Sequence, residues 1–337
     1  MPSFSQFWSD LSAKKGGPLP RIAFADGTDT RVIRAATELG SKNLLAPLLV
    51  GARDKIMALA SAANIKTDGI EIASITTDLM TRSKEILLAR QKKSNLTATA
   101  VDQQFADPLY QAIGLLILKE VDGLVAGSLR PTADIVRAAL QCVGTKPHNR
   151  LISGHFLIES DHLASADRTP FLFADCAVMP EPSAASLAAI ARGAAASFKF
   201  FTGREPRVAL LSFSTRGSAK HPLVDRIQQA VKMIREQDPQ LVVDGELQVD
   251  AALDRQVALI KNAQDSSVAG RPNVFVFPTL ESGNIGYKLV QRFSQAKIAG
   301  PLLWGLDRPM SDLSRGCTVE EITDTALCVS AMVRGLN

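Results

Sequence analysis

Residues 22–40 read Ile22-Ala23-Phe24-Ala25-Asp26-Gly27-Thr28-Asp29-Thr30-Arg31-Val32-Ile33-Arg34-Ala35-Ala36-Thr37-Glu38-Leu39-Gly40. The short apolar run at the start suits a buried strand, and Asp26-Gly27-Thr28-Asp29 is a turn. Val32, Ile33, Ala36 and Leu39 then fall on one helical face, with Gly40 expected as the C-cap. The phrase is strand, loop, helix.

It recurs along the chain. Gly123-Leu124-Val125-Ala126-Gly127 reads as a strand, Ser128 to Pro131 as a loop, and the next helix is expected to be capped by Thr132 and ended by Gly144. Arg207 to Leu211 leads into a loop at Ser212–Lys220, and Asn273 to Phe277 leads to Glu281–Lys288. Ala184 to Ala196 is an alanine-rich helix. Alternating strand and helix predict an α/β class, mostly parallel sheets flanked by helices, with ligands at the carboxyl ends of the strands. The polar segment Thr145–Arg150 marks a boundary, and a second crossing near Gly300-Pro301 returns the chain to its first part. The expected domains are therefore 1–147 with 302–337, and 148–301. Before them, Phe4, Phe7, Trp8 and Leu11 form one face of a short helix.

Composition narrows the class. The chain has 337 residues, 46% hydrophobic and 21% charged, enough for large cores and unlike a disordered segment. A formal charge of +4 is far from the clustered positive charge of a nucleic-acid binder, although small anions remain suitable ligands. The apolar run Ala112–Leu118 has seven residues, too few to span a bilayer, and the first residues lack a basic segment leading into an apolar one. Cys142, Cys176, Cys317 and Cys328 lie far apart without metal-ligand spacing. A reduced, cytoplasmic protein without metal or membrane is expected. Fingerprints for dinucleotides and nucleoside triphosphates are also missing.

Several stretches could carry chemistry. Asp312-Leu313-Ser314-Arg315-Gly316-Cys317-Thr318-Val319-Glu320-Glu321 offers a hydroxyl and a guanidinium just before a helix N-terminus, an arrangement that suits an oxyanion. Thr318 and Glu321 also match a capping box, and Arg315 could be a solvated side chain. Ser212-Phe213-Ser214-Thr215-Arg216-Gly217-Ser218-Ala219-Lys220 follows a strand and holds the ingredients of a phosphate cradle, or is only a polar connection. In Glu281-Ser282-Gly283-Asn284-Ile285-Gly286-Tyr287-Lys288 the glycines permit close backbone approach and Asn284, Tyr287 and Lys288 could touch a ligand. Asp244 and Glu246 are either a catalytic pair or a charged turn. Cys317 is a reactive thiol beside Arg315 or a small buried residue. His148, His155, His162 and His221 lack metal spacing and are assigned no chemistry.

Taken in order, Phe24 to Val32, Phe173-Ala174-Asp175-Cys176-Ala177, Leu211 to Pro222, Asp244-Gly245-Glu246-Leu247-Gln248, Gly283 to Lys288 and Asp312 to Cys317 resemble the phosphotransacetylase (phosphate acetyltransferase) family, including its ethanolamine-utilisation form. The resemblance covers nearly the whole chain. It implies two α/β domains related to isocitrate and isopropylmalate dehydrogenases, with the active site in the interdomain cleft of a homodimer. It also implies reversible acetyl transfer between acetyl phosphate and coenzyme A through a ternary complex, with coenzyme A as a substrate, phosphate as a product and no tightly bound cofactor. Ser314 and Arg315 match the family's catalytic pair, and Arg137 and Arg90 match substrate-binding arginines. Ser128 and Thr132 lie at the expected phosphate pocket, and Ser214, Thr215 and Lys220 are further expected substrate-binding residues. Glu321 stands where many members have an aspartate proposed as the thiol base. Arg130 is larger than the usual residue there. Rival readings are a phosphate butyryltransferase-like enzyme, a metal-dependent decarboxylating dehydrogenase, and a non-catalytic scaffold that binds coenzyme A.

Overall fold

A computed structural model describes residues 18–73, 75–90, 98–147, 151–159 and 170–335. The expected helix through Phe4 and Leu11, together with His148 and His162, lies outside these residues. The chain divides into two compact units, one running to His148 and resuming at Leu306, the other Asn149–Gly305.

The first unit carries strands β1 (Arg21–Phe24), β2 (Ala46–Leu49), β3 (Glu71–Ile72) and β4 (Gly123–Ala126). The second contributes β5 (Ser153–Glu159), β6 (Phe171–Ala174), β7 (Arg207–Leu211), β8 (Val242–Leu247), β9 (Val274–Val276) and β10 (Lys297–Trp304), before β11 (Met310–Asp312) closes the first unit. Strand order in the first unit is β3-β2-β1-β4-β11. Every neighbour there is parallel, with Ala23 opposite Leu48 on one side and Leu124 on the other. Strands covered on both faces need apolar side chains at every position, which is why β1 and β4 read as continuous apolar runs.

Two helices show how the covering layers form. Thr30–Ser41 starts at the Asp29 N-cap, whose carboxylate accepts the Arg31 N–H, and buries Val32, Ile33, Ala35, Ala36 and Leu39. Val319–Gly335 packs beside it and buries apolar residues along its length. Gly40 does not end the first helix. It lies inside, where an added Cβ would sit 3.1 Å from the Pro47 ring, so it permits close helix–strand packing, and Lys42 is the cap. Thr132 is likewise not a cap: Pro131 holds that position ahead of helix Thr132–Ala138, which widens into a π turn at Ala139–Val143 and stops at Gly144 with φ +75°.

In the second unit the order is β10-β5-β6-β9-β7-β8. The four strands β6, β9, β7 and β8 are parallel, while β5 runs antiparallel to β6 and to β10. The alanine-rich helix extends over Ala184–Thr202, from the Ser183 cap to Gly203 at φ +68°. Its small side chains let it lie close to helix Pro222–Gln237, while fully buried Phe198 and nearly buried Phe201 anchor it. Burying such a ring stabilises by about 2–3 kcal/mol. The opposite sheet face is packed by Phe156, Phe173, Phe275 and Phe277 with Tyr287, from helix Leu280–Ser294. That helix contains the whole of Glu281–Lys288.

Candidate active site

At the carboxyl ends of β1, β4 and β11 the first unit collects charge. Asp26, just after β1, is buried and accepts the N–H groups of Gly127 at 2.6 Å and Ser128 at 2.9 Å. Burial raises its pKa above the usual carboxylate value despite those bonds. Arg130 reaches to 3.7 Å from Asp26 and makes a two-pronged pair with Asp107 at 2.8 and 3.0 Å. Its bulk is thus used to anchor the loop after β4, and its Nε is buried without a hydrogen-bond partner.

Asp312, the last residue of β11, is fully buried. Thr132 Oγ1 donates to its Oδ2 at 2.6 Å, and its Oδ1 lacks a well-formed hydrogen bond. Burial lifts its pKa to about 7. Gly127 faces it with φ +114°, and a Cβ there would fall 2.0 Å from Asp312 Oδ1, so glycine alone fits. Ser128 Oγ is also sealed from solvent without a well-formed hydrogen bond.

Ser314 and Arg315 follow Asp312 by two and three residues and are both exposed. Their turn is closed by Cys317 N–H donating to Ser314 O at 3.0 Å and Gly316 N–H donating to Ser314 Oγ at 3.3 Å. Glu321 completes the capping box: its Oε2 accepts the Thr318 N–H at 2.9 Å, while Thr318 Oγ1 accepts the Glu321 N–H at 3.2 Å. Cys317 is buried, and burial pushes its thiol up to about 12, the opposite of an activated nucleophile. Four of the expected site residues, Ser128, Thr132, Ser314 and Arg315, thus share one strand-end cluster. Arg137 does not join it through its side chain, which is exposed and paired with Asp134 at 2.8 Å. The Arg90 side chain lies outside the described residues.

The second unit uses its polar residues differently. The loop after β7 does form an anion cradle, but what it grips is the chain's own carboxylate. Glu246 accepts from Gly217 N–H at 2.7 Å, Ser214 Oγ at 2.9 Å and Gln228 Nε2 at 2.9 Å. Burial works to raise its pKa, yet those bonds outweigh it and hold Glu246 below the usual range. Thr215 Oγ1 exchanges hydrogen bonds with Gln248, and Lys220 is exposed. Asp244 is paired to Arg216 at 2.9 Å and Arg235 at 3.1 Å. Asp244 and Glu246 are therefore held by separate structural partners.

The glycines of Glu281–Lys288 do give close approach, but to the chain itself: Gly283 to backbone and Gly286 to the Phe277 ring. A Cβ at Gly283 would meet the Asp175 carbonyl at 2.5 Å. Asn284 Nδ2 donates to Cys176 O at 3.2 Å, Tyr287 is buried and stacked on Phe156 at 4.1 Å between ring centres, and Lys288 is exposed. Asp175 itself is buried and accepts four backbone N–H groups, from Gly154, Ala177, Val178 and Met179. His155 is buried against Ser153 at 2.8 Å, burial pulling its pKa down to about 3, and His221 caps helix Pro222–Gln237. Among the described residues no group of His, Cys, Asp or Glu side chains has the arrangement of a metal site.

Sequence reasoning missed Arg31, Asp29 and Asp107. Burial alone would raise the Asp29 pKa, but the Arg31 side chain and N–H hold the carboxyl below the usual range. A visible signal existed: Asp29-Thr30-Arg31 opens the helix after β1, where an N-cap carboxylate and an arginine two residues on are placed to pair.

Comparison with known proteins completes the description. A sequence model of the family described as phosphate acetyl/butaryl transferase matches residues 7–330. The phosphate acetyltransferase of Clostridium acetobutylicum is 41% identical over 318 residues, covering 94% of this chain and 95% of that protein. Among solved structures, a phosphotransacetylase from Streptococcus pyogenes superposes with a TM-score of 0.87 at 37% identity, covering 98% of this chain and 99% of that one. The EutD phosphotransacetylase from Staphylococcus aureus gives a TM-score of 0.83 at 36% identity, with coverage of 98% and 99%.

Proposed function

This chain belongs to the phosphate acetyl/butaryl transferase family, and from that premise we propose that it is a phosphate acetyltransferase, moving an acetyl group reversibly between acetyl phosphate and coenzyme A. The observation that carries this reading is the Ser314-Arg315 pair, exposed on a turn at the carboxyl ends of parallel strands in a chain matched to the family almost end to end. In the forward direction the thiol sulfur bonds to the acetyl carbon, the carbon–oxygen bond to phosphate breaks, and the proton given up by the thiol is matched by the one that the departing phosphate takes to leave as hydrogen phosphate. Both substrates are bound together, and no protein nucleophile is required. The buried Cys317 thiol suits that scheme.

Ionising a thiol of ordinary pKa, about 8.5, at pH 7 costs roughly 2 kcal/mol, so a base has little to add. The larger requirement is to hold charge on the carbonyl oxygen and on departing phosphate. Arg315 supplies a planar fork for those oxygens and Ser314 a hydroxyl, and losing such a donor costs about 3 kcal/mol. Glu321 acts in this reading as the cap that its bonds to Thr318 describe, rather than as the base. Ser128 and Thr132, and by resemblance Arg137 and Arg90, contribute to binding from the first unit. In the second, Lys220 and Lys288 are exposed and available to a phosphate-bearing substrate, while Ser214, Thr215, Asn284 and Tyr287 shape the scaffold.

The enzyme works in this reading as a cytoplasmic homodimer with no tightly held cofactor. Four buried cysteines, none in a disulfide, and the outward apolar stripe Ile285, Leu289 and Phe293 on helix Leu280–Ser294 support it. The test is thioester formation from coenzyme A and acetyl phosphate without metal or nucleotide, run beside propionyl and butyryl phosphate. Acetyl phosphate should give the highest kcat/KM. A preference for butyryl phosphate would move the chain to the longer-acyl branch, and binding of coenzyme A without turnover would make it a scaffold.

A further inference from the structure

A guanidinium has five N–H donors, and those of Arg31 are all used inside the first unit. Nε donates to Asp29 Oδ1 at 3.1 Å, and Nη2 donates to Asp29 Oδ2 at 2.7 Å and to the Ser128 carbonyl at 3.1 Å. Nη1 donates to the carbonyl oxygens of Arg315 at 2.9 Å and Cys317 at 2.8 Å. The acceptors lie on the loops after β1, β4 and β11. Asp29 balances the charge, and no donor remains for a substrate anion. Within the turn carrying Ser314 and Arg315 the bonds are short-range, between residues two or three apart. Arg31 reaches the same turn from more than 280 positions away.

Resting on the acetyltransferase reading above, we infer that Arg31 is a positioning residue: it fixes the backbone of Arg315 and Cys317 against the first two loops and so aims the Ser314-Arg315 pair. Its effect on the reaction passes through that turn rather than through contact with substrate. An arginine is suited to this because a planar fork can meet acceptors on several loops at once, whereas the ammonium of a lysine presents three donors from one point.

The experiment compares Arg31→Gln, Arg31→Lys, Arg315→Gln and the Arg31→Gln/Arg315→Gln double variant with the unaltered enzyme. It uses steady-state kinetics in acetyl phosphate and coenzyme A, and hydrogen exchange read by mass spectrometry. Arg31→Gln should lower kcat about a hundredfold while both KM values stay within about threefold. Arg31→Lys should recover little of the loss. In the Arg315→Gln background, removing Arg31 should cost less than a further factor of about three, because both act through one group. Peptides covering 313–318 should exchange faster in both Arg31 variants, with β1 and β2 protected as before. A raised KM at preserved kcat, additive losses in the double variant, or unchanged exchange at 313–318 would each overturn the inference. An Arg315→Gln enzyme with full turnover would instead remove the catalytic reading of Arg315, while the exchange result would still decide whether Arg31 orders the turn.

Discussion

Glu321 and Thr318 satisfy each other's backbone: Oε2 of Glu321 accepts the Thr318 N–H at 2.9 Å and Oγ1 of Thr318 accepts the Glu321 N–H at 3.2 Å. The carboxylate that could have served as a thiol base is therefore engaged at the start of helix Val319–Gly335.

Glu321→Ala should accordingly behave as a capping variant. Loss of about 1 kcal/mol in urea-induced unfolding is expected, with turnover per folded molecule falling by less than tenfold. Arg315→Ala should show the reverse, near-normal stability and turnover reduced about a hundredfold or more. Equal losses of turnover in the two variants would restore Glu321 as the base. Arg315→Lys should rescue poorly, and near-normal turnover there would mean that charge without the fork suffices.

Asp312 makes stability depend on pH. Its folded pKa of about 7 exceeds the ordinary 3.8, so between those values the folded chain holds a proton that the unfolded chain has released. That contribution is fully present below about pH 4 and is lost as pH rises to 7, on the order of a few kcal/mol. Raised Asp26 adds a slope of the same sign. Asp312→Asn removes one titrating group, so thermal midpoints measured from pH 4 to 8 should fall less steeply in the variant than in the unaltered protein. Parallel pH profiles would show that Asp312 titrates alike in both states.

Gly283→Ala should destabilise although it lies in a helix, where alanine normally gains about 1 kcal/mol over glycine. The added methyl would meet a backbone carbonyl, Asp175 O, at 2.5 Å, and backbone cannot swing aside as a side chain can. Overpacking of this kind costs about 1–3 kcal/mol. Chemical denaturation decides the sign, and a midpoint at or above that of the parent would mean that the helix shifts freely.

Phe293 is 85% exposed and shares a helical stripe with Ile285 at 52% and Leu289 at 49%. On the homodimer reading proposed above, this stripe is the surface through which two copies associate. Phe293→Glu should convert the expected dimer to monomer in light scattering at micromolar concentration. A variant that remains dimeric would place the interface elsewhere.

The parallel strands, their covering helices and the polar loops at the carboxyl ends were legible because they follow local rules. Apolar runs such as Ile22-Ala23-Phe24, helical stripes such as Val32 to Leu39, and a capping box such as Thr318 with Glu321 act over a few residues, and the sequence displays those intervals directly. The Ser314-Arg315 turn was visible for the same reason, as a hydroxyl and a guanidinium before a capping box.

What only the tertiary structure decided is which partner each polar group takes. Gly40 looked like a helix stop until Pro47 packed against it, and the Ser212–Lys220 loop looked like a phosphate cradle until Glu246, from the neighbouring strand, filled it. Arg31 carried no local mark of its link to Arg315, because the strands between them in the chain must first pair before those two loops meet. Sequence spacing determines which groups are on offer over one or two turns. A hydrogen bond across hundreds of residues depends on the register of a whole sheet, and only the assembled fold fixes that.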